Sequence, residues 1–304
     1  CSVVYCCFIR NFNSLRGVLQ LFNNLFVPPL GGGMEKTMNF ESVKGKVAIV
    51  TGASSGIGKA IAMCYGAHGM KVVCSNRDRV KGEQTVKTIN DAGGEAIFFQ
   101  SDVSKTEDVR NLIDFAISTY GHLDGIVNNA GIGLGGFPLH EHSMEEYDKI
   151  VSLNLKSVFT SMKYGSEAIL KSKSTGGFII NISSIASLMP QSGQSLYTAT
   201  KFGVVGMTKS ASIEYAPHNI TINAIFPGYT VTPIFGDAPE AAMNYFRSTC
   251  PAGRMGEPEE CAALALFLAS DMARYISGAA IPIDGALSAG SKNLVQWKNP
   301  KILE

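Results

Sequence analysis

Tyr197 and Lys201 stand four residues apart in the run Tyr197-Thr-Ala-Thr-Lys201, and Ser184 precedes the Tyr by thirteen positions. If the chain from Tyr197 to Tyr215 is helical, phenol and ammonium share one helix face. A cation beside a phenol favours the phenolate, so the spacing predicts a Tyr pKa below the ordinary value of about 10. A phenol tuned that way exchanges a proton with a substrate oxygen near neutral pH. Ser184 follows the strand-like run Phe178-Ile-Ile-Asn-Ile182, so its hydroxyl belongs at a strand tip, where it can donate to the same oxygen. Alone, Tyr-x-x-x-Lys also decorates many solvated helix faces. Its weight comes from the elements around it.

Upstream, Lys46-Val-Ala-Ile-Val-Thr51 has the composition of a short buried strand. Gly52-Ala-Ser54-Ser55-Gly56-Ile57-Gly58 follows at once, and Lys59 to Ala67 reads as a helix. Strand, glycine turn and helix are the setting of a dinucleotide-binding turn. The glycines allow a tight turn and close backbone approach to a pyrophosphate, and the helix N-terminus offers unpaired N–H groups to the anion. The spacing here is G-x-x-x-G-x-G, not the commoner G-x-G-x-x-G.

With these motifs the chain is identified as a member of the short-chain dehydrogenase/reductase family, over about residues 44–286. Thr51 to Gly58 resembles that family's nucleotide loop, and Asn128-Asn129-Ala130-Gly131 its mid-sheet motif. Asn154, Ser184, Tyr197 and Lys201 fall where the family keeps its catalytic residues. Pro227-Gly228, Thr232, the run Arg254 to Glu260 and the run Gly278 to Gly285 resemble its C-terminal landmarks. Gly285-Ala286 departs from the Gly-Gly that relatives often carry. The resemblance implies a Rossmann-type doubly wound parallel sheet in a single α/β domain. It also implies that Lys201 holds the nicotinamide ribose, that Asn154 orients a relay water, and that Asp102-Val103 contacts adenine. Assembly as a homo-oligomer, a tetramer or dimer through the helices holding Asn154 and Lys201, is implied too.

Strands and helices alternate along the chain, which independently argues for one α/β domain with a parallel sheet. Val72 to Ser75, Ile97 to Gln100, Gly125 to Asn128, Phe178 to Ile182, Thr221 to Phe226 and Ile281 to Asp284 read as further strands. Val80 to Asp91 and Met144 to about Lys173 read as helices, the second holding Asn154. A buried Asn in mid-helix must find hydrogen-bond partners, whether in a relay or between helices. In a dinucleotide fold the residue ending the second strand faces the adenosine ribose: an acid there favours NAD, and an Arg pairs with a 2′-phosphate. Asn76 is not acidic and Arg77 is next, which favours NADP(H) over NAD(H). Asp78 could neutralise Arg77, and Ser55 adds no basic charge to the glycine loop. Asp102 has a plainer alternative role, since Ser104 and Glu107 form a capping-box pattern after it.

The 304 residues, 45% apolar and 17% charged, suffice for a large core. A net charge of +1 gives no case for nucleic acid. No run of 18 apolar residues suggests a membrane span. The seven cysteines form no C-x-x-C pair and no zinc spacing. Cys64, Cys74 and Cys261 sit in apolar runs and read as core thiols, which suits a reducing compartment and a cytoplasmic location. Residues 1–33 carry two Arg and no acid, and end in Pro28-Pro-Leu-Gly-Gly-Gly33. An organelle-targeting peptide and a vector-derived or upstream-translated extension fit that composition equally. The expected catalytic domain is 34–290, followed by a tail, 291–304.

The substrate pocket is expected from Ile132 to Phe137, Leu188 to Gln194 and Tyr229 to Arg254, the last as a mobile flap or an ordered surface helix. Leu134, Met189, Phe235 and Met243 suggest an apolar site. The expected activity is NADP(H)-dependent reduction of a ketone to a secondary alcohol, or the reverse, with Tyr197 as general acid/base and no metal. An NAD-dependent sugar or polyol dehydrogenase is the nearest alternative. A non-catalytic nucleotide-binding protein is the third, although such relatives usually lose the Tyr or Lys that is intact here.

Overall fold

The computed structural model describes residues 40–133, 135–172, 176–236 and 239–290, so the expected extension 1–33 and tail 291–304 lie outside the described residues. Seven strands form the sheet: β1 (Val47–Thr51), β2 (Lys71–Asn76), β3 (Glu95–Gln100), β4 (Gly125–Asn128), β5 (Gly177–Ile182), β6 (Ile220–Pro227) and β7 (Ala280–Ile283). Their spatial order is β3-β2-β1-β4-β5-β6-β7, and every pairing is parallel. Parallel strands need long crossovers and cover on both faces. Accordingly β1, β4, β5 and β6 are buried at every position. Alternate residues of β1 enter opposite cores: Ala48 and Val50 join Ile61, Tyr65 and Leu266, while Val47 and Ile49 join Leu112, Ile113 and Met162. The expected strands are all present, with ends within two residues of the sequence reading.

The covering helices are α1 (Gly56–Ala67), α2 (Arg79–Asp91), α3 (Thr106–Tyr120), α4 (Met144–Val151), α5 (Ser157–Lys171), α6 (Ser195–Tyr215), α7 (Glu240–Thr249) and α8 (Pro258–Ala269). The single helix expected from Met144 to Lys173 is instead α4, one π turn (Ser152–Lys156) and α5; Lys173 lies outside the described residues. The Ser104–Glu107 capping box does not form. Lys105 is the N-cap of α3 without a side-chain bond, because Ser104 turns back to donate from Oγ to Asp102 Oδ1 at 2.7 Å. A local side-chain turn has won over the cap. Cys74 and Cys261 are buried free thiols, and Cys64 is half-buried.

β1 has β2 on one side and β4 on the other, so the chain leaves β1 toward one half of the sheet and leaves β4 toward the other. That reversal opens a crevice at the carboxyl ends of the strands.

Behind β7, Gly285 (φ +59°) has no room for a side chain: a Cβ would come within 2.7 Å of Cys250 Sγ. Ala286 shares the left-handed backbone, at φ 69°, and is exposed. An L-residue held there costs about 1 kcal/mol relative to glycine. Ala286→Gly should therefore stabilise the protein by about that amount, read as a raised denaturant midpoint at unchanged m value. A lowered midpoint would show that the left-handed turn is not the native one.

Candidate active site

The turn after β1 is built by exclusion. Gly52 and Gly56 take positive φ, and a Cβ on Gly52 would meet Asn129 Nδ2 at 2.7 Å. Gly58 is crowded more tightly by the same amide and by the Gly52 carbonyl. Asn129 Nδ2 donates to Thr51 O at 2.9 Å. Thr51 Oγ1 accepts from Asn129 N at 3.0 Å and from Ala130 N at 3.1 Å, and donates to Val127 O at 3.3 Å. The tip of β4 is thus tied to the glycine turn. The turn leads into α1, whose N-cap Ser55 makes no side-chain bond and whose first turn holds no acid. The leading N–H groups of that helix suit an anion.

A cleft of about 820 Å³ follows the carboxyl ends of the strands. Every residue expected at the cofactor lines it except Ser54 and Gly58. Ser54 stands behind the surface and accepts Asn76 Nδ2 at 2.5 Å; Gly58 packs against Asn129. Near β2 and β3, Arg77 is exposed and has no ion-pair partner among the described residues. Asp78 does not neutralise it. That carboxylate caps α2, accepting Lys81 N at 3.1 Å, and pairs with Lys81 Nζ at 3.7 Å. Burial works to raise the Asp102 carboxyl, but two bonds from Ser104 and the nearby Arg77 charge outweigh it, and Asp102 is held below its ordinary pKa.

At the other end, α6 carries Tyr197 and Lys201. Lys201 is 6% exposed, donates from Nζ to Ile182 O at 2.9 Å and lies 5.6 Å from the Tyr197 ring centre. Ser184 Oγ accepts Ala186 N at 3.1 Å, which orients its hydroxyl, and it bonds Tyr197. The lowered phenol pKa expected from the spacing is not found. Burial pushes Tyr197 up, opposed only by the Ser184 bond, and pushes Lys201 down to about 8. Desolvation of the half-buried phenol and the buried ammonium dominates the attraction between them.

Asn154 does not line the cleft. It sits in the π turn, where the widened helix carries its amide toward the β4 tip. Its Oδ1 accepts Ile132 N and its Nδ2 donates to Ile132 O, both at 2.9 Å. A Cβ on Gly131 would stand 3.2 Å from Asn154 Oδ1 and 3.7 Å from Lys201 Nζ, so the three converge on one point.

Four residues that shape the site escaped the sequence reading. Thr51 clamps the β4 tip. Ser75 and Ser101, paired through their hydroxyls at 2.5 Å, line the cleft one residue before Asn76 and Asp102. Ser183 Oγ holds Lys201 O at 3.1 Å. The available signal was a small hydroxyl residue at each strand end.

Within the segment after β6, Glu240–Thr249 forms the surface helix α7. Phe246 of α7 packs on Tyr229 and Phe235, with ring centres at 4.6 and 4.9 Å, and Arg247 pairs with Glu240 at 2.7 Å. Phe235 lines the cleft, while Met189 and Met243 do not, and Leu134 lies outside the described residues.

A family model described as enoyl-(acyl carrier protein) reductase matches residues 52–288. The chain belongs to the short-chain dehydrogenase/reductase family. It is 39% identical over 256 residues to cyclohexanol dehydrogenase of Acinetobacter sp., covering 84% of this chain and 100% of that protein. It is 41% identical over 254 residues to 3beta-hydroxysteroid dehydrogenase 1 of Eggerthella lenta, covering 82% and 96%. The solved 3-ketoacyl-(acyl-carrier-protein) reductase of Brucella melitensis, complexed with NADH, superposes with a TM-score of 0.76 at 34% identity, over 81% of this chain and 100% of that one. This short-chain dehydrogenase/reductase is therefore an oxidoreductase using a nicotinamide cofactor. Its glycine turn, the uncapped start of α1 and the strand-end cleft fit that cofactor.

Thr51→Val keeps the shape of β1 and removes the clamp. Two N–H groups lose their acceptor, which should cost about 1–3 kcal/mol of stability and weaken nucleotide binding. Unchanged denaturant unfolding and unchanged nucleotide affinity would show that the β4 tip holds itself.

Proposed function

We propose that the protein interconverts an alicyclic ketone and its secondary alcohol with NADP(H), using Ser184, Tyr197 and Lys201 as its catalytic residues and Asn154 as their support. The convergence of Ser184, Tyr197 and Lys201 on one end of the cleft, with Asn154 behind Gly131, carries the reading. Two relatives named for cyclohexanol and a 3β-hydroxysteroid support a ring substrate. The apolar wall of Phe235, Ile234 and Phe246 supports it over a sugar or polyol.

The bound cofactor supplies or takes up the hydride at the carbinol carbon. In the reducing direction Tyr197 donates its proton to the oxygen. Its raised pKa keeps the phenol protonated at neutral pH, the form that donation needs. Ser184 donates a hydrogen bond to the same oxygen and stabilises the negative charge that develops there. The Lys201 ammonium, 5.6 Å from the Tyr197 ring, stabilises the phenolate left behind. Asn154 fixes the backbone beside them through Ile132, and its Oδ1 keeps a second lone pair for a relay water.

Arg77 supports NADP(H): it is exposed on the cleft near Asn76, and its neighbour Asp78 is committed to Lys81. The Brucella relative holds NADH, so the family frame does not choose the cofactor and the choice falls to this side chain. Gly52, Ser54 to Gly58, Asn76, Asp102, Val103, Asn129, Ala130, Gly131, Pro227, Gly228 and Thr232, with Tyr197 and Lys201, serve as further cofactor contacts in this proposal. The catalytic domain is proposed as 34–290. Phe159 and Leu170 on α5, with Phe202 and Ile213 on α6, are exposed apolar residues and support a homo-oligomer, tetramer or dimer, joined through these helices.

Tyr197→Phe should lower kcat by a factor of about 100 or more while the cofactor dissociation constant stays within about threefold. Retained turnover would remove Tyr197 from the chemistry. Arg77→Gln should raise KM for NADPH by about tenfold or more with little change for NADH; equal effects on both would make Arg77 a bystander. Lys201 is charged below pH of about 8 and neutral above it. Reduction should therefore hold up to about that pH and fall beyond it. A reductive kcat/KM still climbing from neutral pH through that point would contradict the assignment.

A further inference from the structure

We propose that Gln191 and Tyr229 form a second oxygen-recognition point in the cleft, and that the substrate is a neutral ring compound with an oxygen function besides the reacting one. This rests on the ketone–alcohol reading and narrows it.

Gln191 lies in the loop between β5 and α6, and Tyr229 in the segment leaving β6. Gln191 Nε2 donates to the Tyr229 hydroxyl oxygen at 2.6 Å, and both residues line the same cleft as Ser184 and Tyr197. That bond leaves two donors, the Tyr229 O–H and the second N–H of Gln191 Nε2, with Gln191 Oε1 as an acceptor. Turning the amide round also leaves two donors, both on Nε2, since Tyr229 then donates to Oε1 and its phenol oxygen remains as an acceptor. In either arrangement the pair can both give a hydrogen bond to a substrate hydroxyl and accept one from it, or give one to a carbonyl.

The backbone on both sides is fixed. Gly136 N donates to Gly193 O at 2.9 Å, which ties the loop of Gln191 to the loop after β4. A Cβ on Gly193 would stand 3.2 Å from Gly136 N, so that tie needs glycine. Gly256 N donates to Tyr229 O at 2.8 Å, and the Tyr229 ring rests on Phe246 at 4.6 Å. A polar pair held by rigid neighbours loses little entropy on meeting a ligand. Ile185, Ile234 and Phe235 also line the cleft. Lys201 is the one charged side chain among the described residues lining this part, and it is buried behind Tyr197. Apolar walls with a polar group at two places suit a neutral ring with two oxygens. Gln191 is exposed and Tyr229 half-buried, so water competes for the pair and the discrimination is about tenfold.

The test uses the purified full chain with NADP⁺. Cyclohexanol is the one-oxygen probe, and the cyclohexanediols with hydroxyls on opposite ring carbons are the two-oxygen probes; decalin alcohols and diols repeat the comparison on a larger frame. Both kcat/KM and calorimetric Kd are read. The expected result is a diol preference of about tenfold on at least one frame, beyond the factor of about two from equivalent hydroxyls. Tyr229→Phe and Gln191→Leu should each bring that ratio back toward about two. No diol preference on either frame, or a ratio that survives both substitutions, overturns the proposal. The two readings fail separately. Turnover of alcohols and diols at equal efficiency removes the second recognition point and leaves the reaction standing. A diol preference in Kd that Tyr229→Phe abolishes, with no turnover of any probe, upholds the recognition point and removes the reaction.

Discussion

At the switch point of the sheet, β1 and β4 hand their chains to loops that almost touch. A Cβ on Gly52 would fall within 2.7 Å of Asn129 Nδ2, and Thr51 Oγ1 gathers the N–H groups of Asn129 and Ala130. Two backbone segments from opposite crossovers approach this closely only where side chains are missing and hydroxyl or amide groups replace water as partners. The other features of the cleft follow from that contact. It aims the start of α1 at the crevice, and it holds Gly131 where Asn154 and Lys201 converge. The glycine turn and the proposed proton-transfer residues are thereby parts of one frame, although they lie far apart in sequence.

Burial sets the electrostatics at the other end. Lys201 gives its ammonium to Ile182 O, its carbonyl accepts from Ser183 Oγ, and its pKa falls to about 8. A cation stored with so little solvation interacts strongly with any negative charge that forms nearby. The Tyr197 phenol is raised by the same burial, so the pair meets substrate as a protonated phenol beside a weakly held ammonium. The π turn is the corresponding backbone adjustment. A regular helix through Asn154 would place that amide elsewhere, and the wider turn lets it satisfy both polar groups of Ile132.

Much of this was legible in the chain. The strands were visible because buried parallel strands are short apolar runs, as in Val47 to Val50 and Phe178 to Ile182. The glycine turn and the Tyr197–Lys201 spacing were visible because their geometry admits few residue types. What was hidden depended on partners distant in sequence. Thr51 reads as any β-branched strand end until Asn129 is beside it. The π turn has no local signature in Ser152 to Lys156, since its cause is the reach to Ile132. The direction of the Tyr197 shift was misread because spacing reports the neighbouring charge but not the depth of burial. The helix Glu240 to Thr249 was ambiguous because its order comes from Phe246 packing on Tyr229 and Phe235, a contact that proline and glycine content does not reveal.

In the proposed reaction this cleft passes a hydride between NADP(H) and a ring carbon while Tyr197 handles the proton. A single-turnover reaction of the enzyme with a cyclic ketone and NADPH deuterated on its nicotinamide ring, analysed by mass spectrometry of the product, tests it most directly. The account predicts an alcohol carrying one deuterium on the carbinol carbon, formed by the native protein and not by Tyr197→Phe within the same time. Cofactor bound at full occupancy with no deuterium reaching any ring ketone, or transfer that persists unchanged in Tyr197→Phe, would contradict it.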